Sequence, residues 1–288
     1  AKDFIGKTET AQVNAIRSWL CSVNGSEVII FGEAQGLDKL ADYPGIILHP
    51  AVLKSPEGTP RIDDMFTKAQ KIASNQICCF INADIIITRE FAMAVMEIHH
   101  IVQTGYLIVG QRDDVDLSNL LDFSEEWEAH LKSHTRMHGK RHPPLGSDFF
   151  AFPKGQYASG EIPDLLVGRA GWDLWMIYHS RKCSHKVIDL SPTNIPVHQN
   201  HDYNHRKNGF ISYDHDPEAQ HNLTYVPMGE TYPYTLHACN YIFKKGKLHF
   251  NYARKNLRRF ISYELHLRKD RFPFKELRIM LRIPKLIP

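Results

Sequence analysis

The sequence predicts an α/β protein in which a mixed, mainly parallel sheet is flanked by helices. Between residues 27 and 110, short apolar runs alternate with segments of helical periodicity, and this alternation is typical of βαβ units. The chain has 288 residues, of which 43% are hydrophobic and 23% are charged, so it can bury a large core. No apolar stretch approaches the ~20 residues that span a bilayer, and the first residues do not resemble a signal peptide.

Three helices and four strands are predicted before residue 111. Val13, Ile16 and Leu20 recur at helical spacing, and Thr8 or Thr10 is suited to cap that helix. The other two helices are predicted over residues 61–74 and 91–102. The predicted strands cover residues 27–31, 45–48, 77–87 and 106–110.

The pattern is less regular after Gly110. Residues 112–142 are polar and helical only around Trp127. Residues 146–155 predict a strand with an acidic residue at its start, residues from 171 onward predict a helix, and residues 186–190 predict a further strand.

The most informative segment is the apolar run over residues 77–87, which is interrupted only by Asn82-Ala83-Asp84. A run rich in branched and aromatic residues predicts a fully buried strand of a parallel sheet. Ligands of open α/β sheets bind at the carboxyl ends of such strands. A carboxylate there, two residues after another oxygen-bearing side chain, can hold a divalent cation that in turn binds a diphosphate. The alternative is that Asn82 and Asp84 only turn the chain.

Three later segments carry polar residues of the same kind. Asp148 lies at a strand edge among aromatic residues, Asp173 opens a helix between two tryptophans, and residues 198–205 contain three histidines. With these segments, Gly58-Thr59-Pro60 and Gly168-Arg169, the chain resembles the nucleotide-diphospho-sugar transferases of GT-A fold. The resemblance covers most of residues 8–240. It implies a Rossmann-like GT-A catalytic domain over residues 1–243, with a nucleotide-binding part over about 1–110 and an acceptor part over about 111–243.

The resemblance implies a cation site. Enzymes of this family bind the nucleotide diphosphate through Mn²⁺ or Mg²⁺, which is held by the last carboxylate of an Asp-x-Asp motif and often by a histidine near the end of the domain. Asp84 matches the carboxylate, and His198 or His201 matches the histidine. Asn82 stands where aspartate is more usual, so we expect metal binding to be weaker and to depend more on the diphosphate. A zinc site at the histidines is the weaker alternative, because their spacing lacks a cysteine set or the His-Glu-x-x-His pattern.

The resemblance also places Asp173 where inverting members of the family carry their catalytic base. Such a base accepts the proton of the acceptor hydroxyl while that oxygen attacks the anomeric carbon. At a helix start, the helix dipole is expected to favour the ionised carboxylate. The residue pattern alone equally allows Asp173 to be an ordinary first-turn residue, and in a retaining enzyme it would only bind.

Besides Asn82 and Asp84, five residues are expected on the donor side of the site. Phe31 and Glu33 end the strand that should line the base pocket, and Ala83, Arg61 and Arg169 are expected near the diphosphate. The alternatives are an exposed loop carboxylate for Glu33 and solvent-facing side chains for the two arginines.

Four residues are expected on the acceptor side: Asp148, Trp172, Trp175 and His201. Aromatic rings stack on sugar faces, but the two tryptophans are equally compatible with the core. Asp148 either bonds sugar hydroxyls or is a strand-end turn residue.

The C-terminal segment is strongly basic. Residues 244–288 carry 14 Lys and Arg against 3 Asp and Glu, although the whole chain has a net charge of only +3. Apolar and basic residues alternate at helical spacing there, which predicts a basic amphipathic C-terminal extension. It either lies on an anionic membrane or packs across the domain with its basic face in water. Nucleic acid is not an expected partner, because no recognisable binding module is present.

Taken with the resemblance, the sequence predicts a metal-dependent glycosyltransferase. The expected reaction moves a sugar from a nucleotide-diphosphate donor, preferably a UDP-sugar, to a hydroxyl of a glycan or glycoconjugate, with inversion. A retaining transferase of the same fold and a carbohydrate-binding protein without turnover are the alternatives. The absence of Gly-x-Gly-x-x-Gly and P-loop patterns argues against a dinucleotide oxidoreductase or a kinase. The expected location is the cytoplasm or a membrane surface, with a lumenal catalytic domain as the alternative.

Overall fold

The computed structural model describes residues 1–193, 196–200, 215–227, 233–251 and 257–268. The helices in these ranges are α1 (Gly6–Ser22), α2 (Ile62–Ile72), α3 (Arg89–Val102), α4 (Trp127–His138), α5 (Trp172–Lys182), α6 (Pro217–Thr224) and α7 (Leu257–Leu267). The strands are β1 (Val28–Phe31), β2 (Ile46–His49), β3 (Ile77–Ile81), β4 (Ile85–Ile86), β5 (Tyr106–Val109), β6 (Asp113–Val115), β7 (Lys140–Arg141), β8 (Phe149–Pro153), β9 (Lys186–Asp189), β10 (Val197–Gln199), β11 (Tyr241–Lys244) and β12 (Lys247–Phe250).

The central sheet has six strands in the order β12–β11–β9–β5–β8–β3. Strands β5, β9 and β11 run parallel, whereas β8 is antiparallel to both of its neighbours and β12 is antiparallel to β11. A smaller sheet has the order β4–β10–β6–β7, and β1 and β2 form a parallel pair. The predicted fold class, a mixed α/β sheet with helices around it, is confirmed.

The central sheet lies between two layers of helices. On β5, Leu107 and Val109 pack with α2 and α5, and Tyr106 and Ile108 pack with α3. Successive strand residues point to opposite faces, so this division follows from the strand geometry. All four residues of β5 are buried, and this explains why the strand reads as a continuous apolar run.

The prediction that residues 77–87 form one fully buried parallel strand is wrong. These residues form two short strands, β3 and β4, which belong to different sheets. In the described part of the chain, β3 is an edge strand antiparallel to β8, and Cys79 is exposed. The Ile85 N–H donates a 3.1 Å hydrogen bond to the carbonyl of Asn82. The polar triplet is therefore the turn by which the chain passes from one sheet to the other.

The start of α1 also differs from the prediction. Thr8 and Thr10 lie inside the helix, and Ile5 occupies the cap position without a capping side chain. The other helices predicted before residue 111 begin and end within two residues of their predicted limits.

The described residues of the C-terminal segment belong to the same sheet and helix layers as the rest of the chain. The boundary predicted after residue 243 falls inside β11, and β12 completes a hairpin with it. Helix α7 packs through Tyr263, which is 1% exposed, against Tyr234, and its Glu264 pairs with Arg181 of α5. Helix α7 thus packs on the domain, and membrane contact by the basic segment stays a prediction. Residues 269–288 lie outside the described ranges, and none of the described helices has both the length and the apolarity to cross a membrane.

Candidate active site

Asn82 and Asp148, two residues predicted for the site, are hydrogen-bonded to each other. The Asn82 N–H donates to the Asp148 carbonyl at 3.0 Å, and Nδ2 of Asn82 donates to Oδ1 of Asp148 at 2.8 Å. Asn82 follows β3 and Asp148 precedes β8, and these strands pair with Ile81 opposite Phe149. The antiparallel register thus brings the two side chains together.

His198 lies on β10, between β4 and β6 of the smaller sheet. Its Nε2 is 3.8 Å from Oδ2 of Asp84, and its Nδ1 is 2.9 Å from Oδ1 of Asp114. Burial lowers the pKa of His198, and the negative charge of Asp84 partly offsets this effect by raising it. A buried, neutral imidazole beside a carboxylate is a suitable metal ligand.

Arg112 links two acidic side chains of the site, those of Asp114 and Asp148. It was not predicted for the site from the sequence. It donates to Oδ1 of Asp114 at 2.7 Å and also to Oδ2 of Asp148. His142 Nδ1 lies 3.0 Å from the other oxygen of Asp114. Burial opposes ionisation of Asp114, but hydrogen bonds from Arg112 and His142 lower its pKa. The sequence signal was weak, because these residues lie in a polar segment without periodicity.

Asp173 is the second residue of α5 and is half-buried. Burial raises its pKa to about 6, the backbone N–H of Leu174 opposes this rise, and the charge of Asp148 adds to it. The backbone at the helix start favours the ionised carboxylate, as expected, but burial outweighs it and places the pKa above the ordinary value of 3.8. A pKa near 6 suits a general base at neutral pH. A Cβ on Gly146 would lie only 2.5 Å from Oδ2 of Asp173, so the carboxylate rests against glycine backbone.

The two tryptophans of α5 are core residues. Each is 5% exposed. Trp172 packs against the rings of Phe80 and Phe150 at centroid distances of 4.9 and 4.8 Å, and Trp175 stacks on His179 at 4.5 Å. This packing favours the core alternative over sugar stacking. His201, the remaining residue predicted for the acceptor side, lies outside the described residues.

The two arginines predicted near the diphosphate are paired with carboxylates. Arg61 donates to both oxygens of Asp63, at 3.1 and 2.7 Å. Arg169 donates to Oε2 of Glu218 at 2.7 Å and to Oγ1 of Thr59 at 3.1 Å. These contacts hold both guanidinium groups in structural ion pairs.

The end of β1 contains the residues predicted for the nucleotide base. Phe31 is 8% exposed and packs against the ring of His49 at 5.3 Å. Glu33 is exposed and Ala83 is half-buried. Their roles in donor binding stay predictions.

Comparison with known proteins gives a similarity in solved structures only. No protein-family model matches the chain, and no curated protein matches it. The chain is similar to the crystal structure of GalNAc-T7 with UDP, GalNAc and Mn²⁺, with 11% identity and a TM-score of 0.46. The similarity covers 75% of this chain and 45% of that one, so the chain spans less than half the length of GalNAc-T7. At this level of similarity, only the chain's own residues can support a function.

Proposed function

We propose that the chain is a metal-dependent glycosyltransferase. It moves a sugar from a nucleotide-diphosphate donor, with a UDP-sugar as the first candidate, to a hydroxyl of a glycan or glycoconjugate, and it inverts the anomeric centre. The observation that carries this proposal is the convergence of Asn82, Asp84, Asp148, Asp173 and His198, which come from four separate segments. Asp148 links the two parts, because its charge raises the pKa of Asp173, which is about 6, and also acts on His198 of the carboxylate–histidine pair; the arrangement therefore offers a base and a cation site.

Asp84 and His198 fit as two ligands of a Mn²⁺ or Mg²⁺ ion. Two atoms that each lie roughly 2.1 Å from one ion are at most about 4.2 Å apart, and Oδ2 of Asp84 is 3.8 Å from Nε2 of His198. The ion would offset the negative charge that builds on the leaving diphosphate. Arg112 pairs with the carboxylates of both Asp114 and Asp148, so Asn82, the diphosphate and water are the candidates for the remaining ligands.

Asp173 acts as the base in this proposal. Its carboxylate accepts the proton of the acceptor hydroxyl while the hydroxyl oxygen bonds to the anomeric carbon and the bond to the diphosphate breaks. Asp148 is positioned by Asn82 on one oxygen and Arg112 on the other, so its carboxylate has a fixed orientation beside Asp173. Asp173 then releases the proton to solvent.

Calorimetric titration with UDP and with GDP, each with Mn²⁺ or with chelator, tests the proposal. We expect one nucleotide to bind only with Mn²⁺, and we expect Asp84→Ala to abolish this binding. Asp42→Ala is the matched control, because Asp42 is an exposed aspartate. The anomeric configuration of the product, measured by NMR, then tests inversion. If the folded wild-type protein binds neither nucleotide, the proposal is wrong, and metal-independent glycan binding would instead identify a carbohydrate-binding protein.

A further inference from the structure

A second group of metal-binding side chains lies at the other end of α5. His179 is in the last turn of α5 and Cys183 follows its last residue, so the two lie one turn apart on the same face. Glu161 reaches them from the segment between β8 and α5. One donor atom from each residue lies within 4.8 Å of the other two. We propose that Glu161, His179 and Cys183 bind a zinc ion, with the fourth position open to water.

The ligand types select zinc. A thiolate, an imidazole and a carboxylate together are typical of zinc, whereas magnesium and manganese prefer oxygen ligands. Sulfur at about 2.3 Å and nitrogen at about 2.0 Å from a tetrahedral zinc lie roughly 3.5 Å apart. Sγ of Cys183 is 3.5 Å from Nε2 of His179. The Glu161 and His179 atoms, now 2.7 Å apart in a hydrogen bond, need to separate by only roughly half an ångström.

The three side chains are oriented toward one another before any ion binds. The ring of His179 stacks on Trp175, one turn earlier, at 4.5 Å and 11°. The second oxygen of Glu161 accepts a 2.8 Å hydrogen bond from the N–H of Ala158. Cys183 is exposed, so an ion can enter from solvent. On binding, the Cys183 thiol loses its proton to solvent. The proton that Nε2 of His179 donates to Glu161 also leaves that nitrogen, to Nδ1 of a neutral ring or to solvent from an imidazolium, so that the bound imidazole is neutral with its one proton on Nδ1.

This site is separate from the proposed active site. Asp173 is in the first turn of α5, and a helix of 11 residues is about 16 Å long. A zinc ion would fix the segment around Glu161 to the end of the helix that carries Asp173. We therefore expect zinc to stabilise the fold without entering the reaction.

Cobalt spectroscopy tests the proposal directly, because a thiolate ligand gives a charge-transfer band that oxygen and nitrogen ligands do not give. We expect the wild-type chain to bind one equivalent of Co²⁺ with this band and with intense tetrahedral d–d bands, and we expect Zn²⁺ to displace it. Cys183→Ser should lose the band, bind Zn²⁺ at least tenfold more weakly and lose the zinc-dependent rise in melting temperature. Cys21→Ser, at another exposed free cysteine, should behave as the wild type does.

Two further variants separate the possible outcomes. Asp84→Asn should keep the thiolate band, which distinguishes this ion from one at the Asp84–His198 pair. Glu161→Gln keeps an acceptor for His179 and should weaken zinc binding with an unchanged circular dichroism spectrum. A wild-type chain without the thiolate band, or Cys183→Ser with unchanged affinity, would overturn the proposal.

Discussion

Nδ2 of Asn82 donates a 2.8 Å hydrogen bond to Oδ1 of Asp148. The amide therefore has a definite partner, and this partner explains why asparagine is suited to the first position of the triplet. An aspartate there would place two carboxylates in contact, and like charges at that distance repel strongly. Arg112 occupies the other oxygen of Asp148, so the cluster already contains a cation of its own.

Asn82→Asp should destabilise the metal-free chain by roughly 1–3 kcal/mol at pH 7, because it replaces a hydrogen bond with carboxylate repulsion. The loss should shrink as the pH falls and one carboxyl is protonated. Mn²⁺ should bind more tightly than in the wild type, because a cation relieves the repulsion. Thermal denaturation across pH, with and without Mn²⁺, measures both effects.

Asn82→Ala is the control for this variant. It loses the hydrogen bond but adds no charge, so its destabilisation should not depend on pH in this way. Equal pH dependence in the two variants would show that carboxylate repulsion is not the cause.

Asp173→Asn should lower kcat for sugar transfer by about 10²–10⁴-fold, the usual contribution of a general base, and leave nucleotide affinity unchanged. In the wild type, burial raises the pKa of Asp173 to about 6, so the rate should rise with pH through about 6 and then level off. Initial rates from pH 5 to 8 measure the profile. Asp42→Asn, at an exposed position, should retain the wild-type profile, and near-normal turnover in Asp173→Asn would rule out the base role.

The raised pKa of Asp173 also affects stability. Between the ordinary value of 3.8 and about 6, the folded chain binds more protons than the unfolded chain, so the contribution of Asp173 to stability falls as the pH rises through this window. Asp173→Asn should remove this pH dependence and be more stable than the wild type at pH 7, by about 3 kcal/mol. Urea denaturation at pH 4 and pH 7 gives the comparison, and a difference between the two chains that is the same at both pH values would contradict the expectation.

Gly146→Ala should displace the Asp173 carboxylate, because the new Cβ would lie 2.5 Å from Oδ2. Overpacking of this kind costs about 1–3 kcal/mol, and turnover should fall with it. The double variant Gly146→Ala with Asp173→Ala lacks the colliding atom. It should therefore be less destabilised than the sum of the two single variants in a double-mutant cycle of unfolding, whereas simple additivity would place the strain elsewhere.

Arg169→Met should destabilise the chain by roughly 1–3 kcal/mol, since it leaves the buried carboxylate of Glu218 without its cation. Burial opposes ionisation of Glu218, but hydrogen bonds from Ser55, Thr59 and Arg169 lower its pKa. The stabilisation from this carboxylate is therefore present above the ordinary pKa of 4.5 and is lost as the pH falls. Adding Glu218→Gln should recover part of the loss. If Arg169 also binds the donor, Arg169→Met will weaken nucleotide binding and Glu218→Gln alone will not, which calorimetry can separate.

The sequence alone determined the position of most local elements. The apolar run of β5 predicted a strand, and the pattern over α2 and α3 placed these helices within two residues of their limits. Asp84 and Asp148 were also singled out at strand ends, Asp173 at a helix start and His198 in a histidine cluster, and the family resemblance gave them their expected roles. These features depend on neighbours within a few residues, and periodicity records such neighbours directly.

Only the tertiary structure decided how these residues meet. The antiparallel insertion of β8 joins Asn82 to Asp148, 66 residues away, and the short strand β10 brings His198 to Asp84. Arg112 and Asp114 could not be singled out, because a polar strand gives no periodic signal until its partner strands are known. The pKa of Asp173 was likewise decided by burial against the Gly146 segment. Strand pairing and desolvation arise from contacts between distant segments, and the local pattern of residues does not encode them.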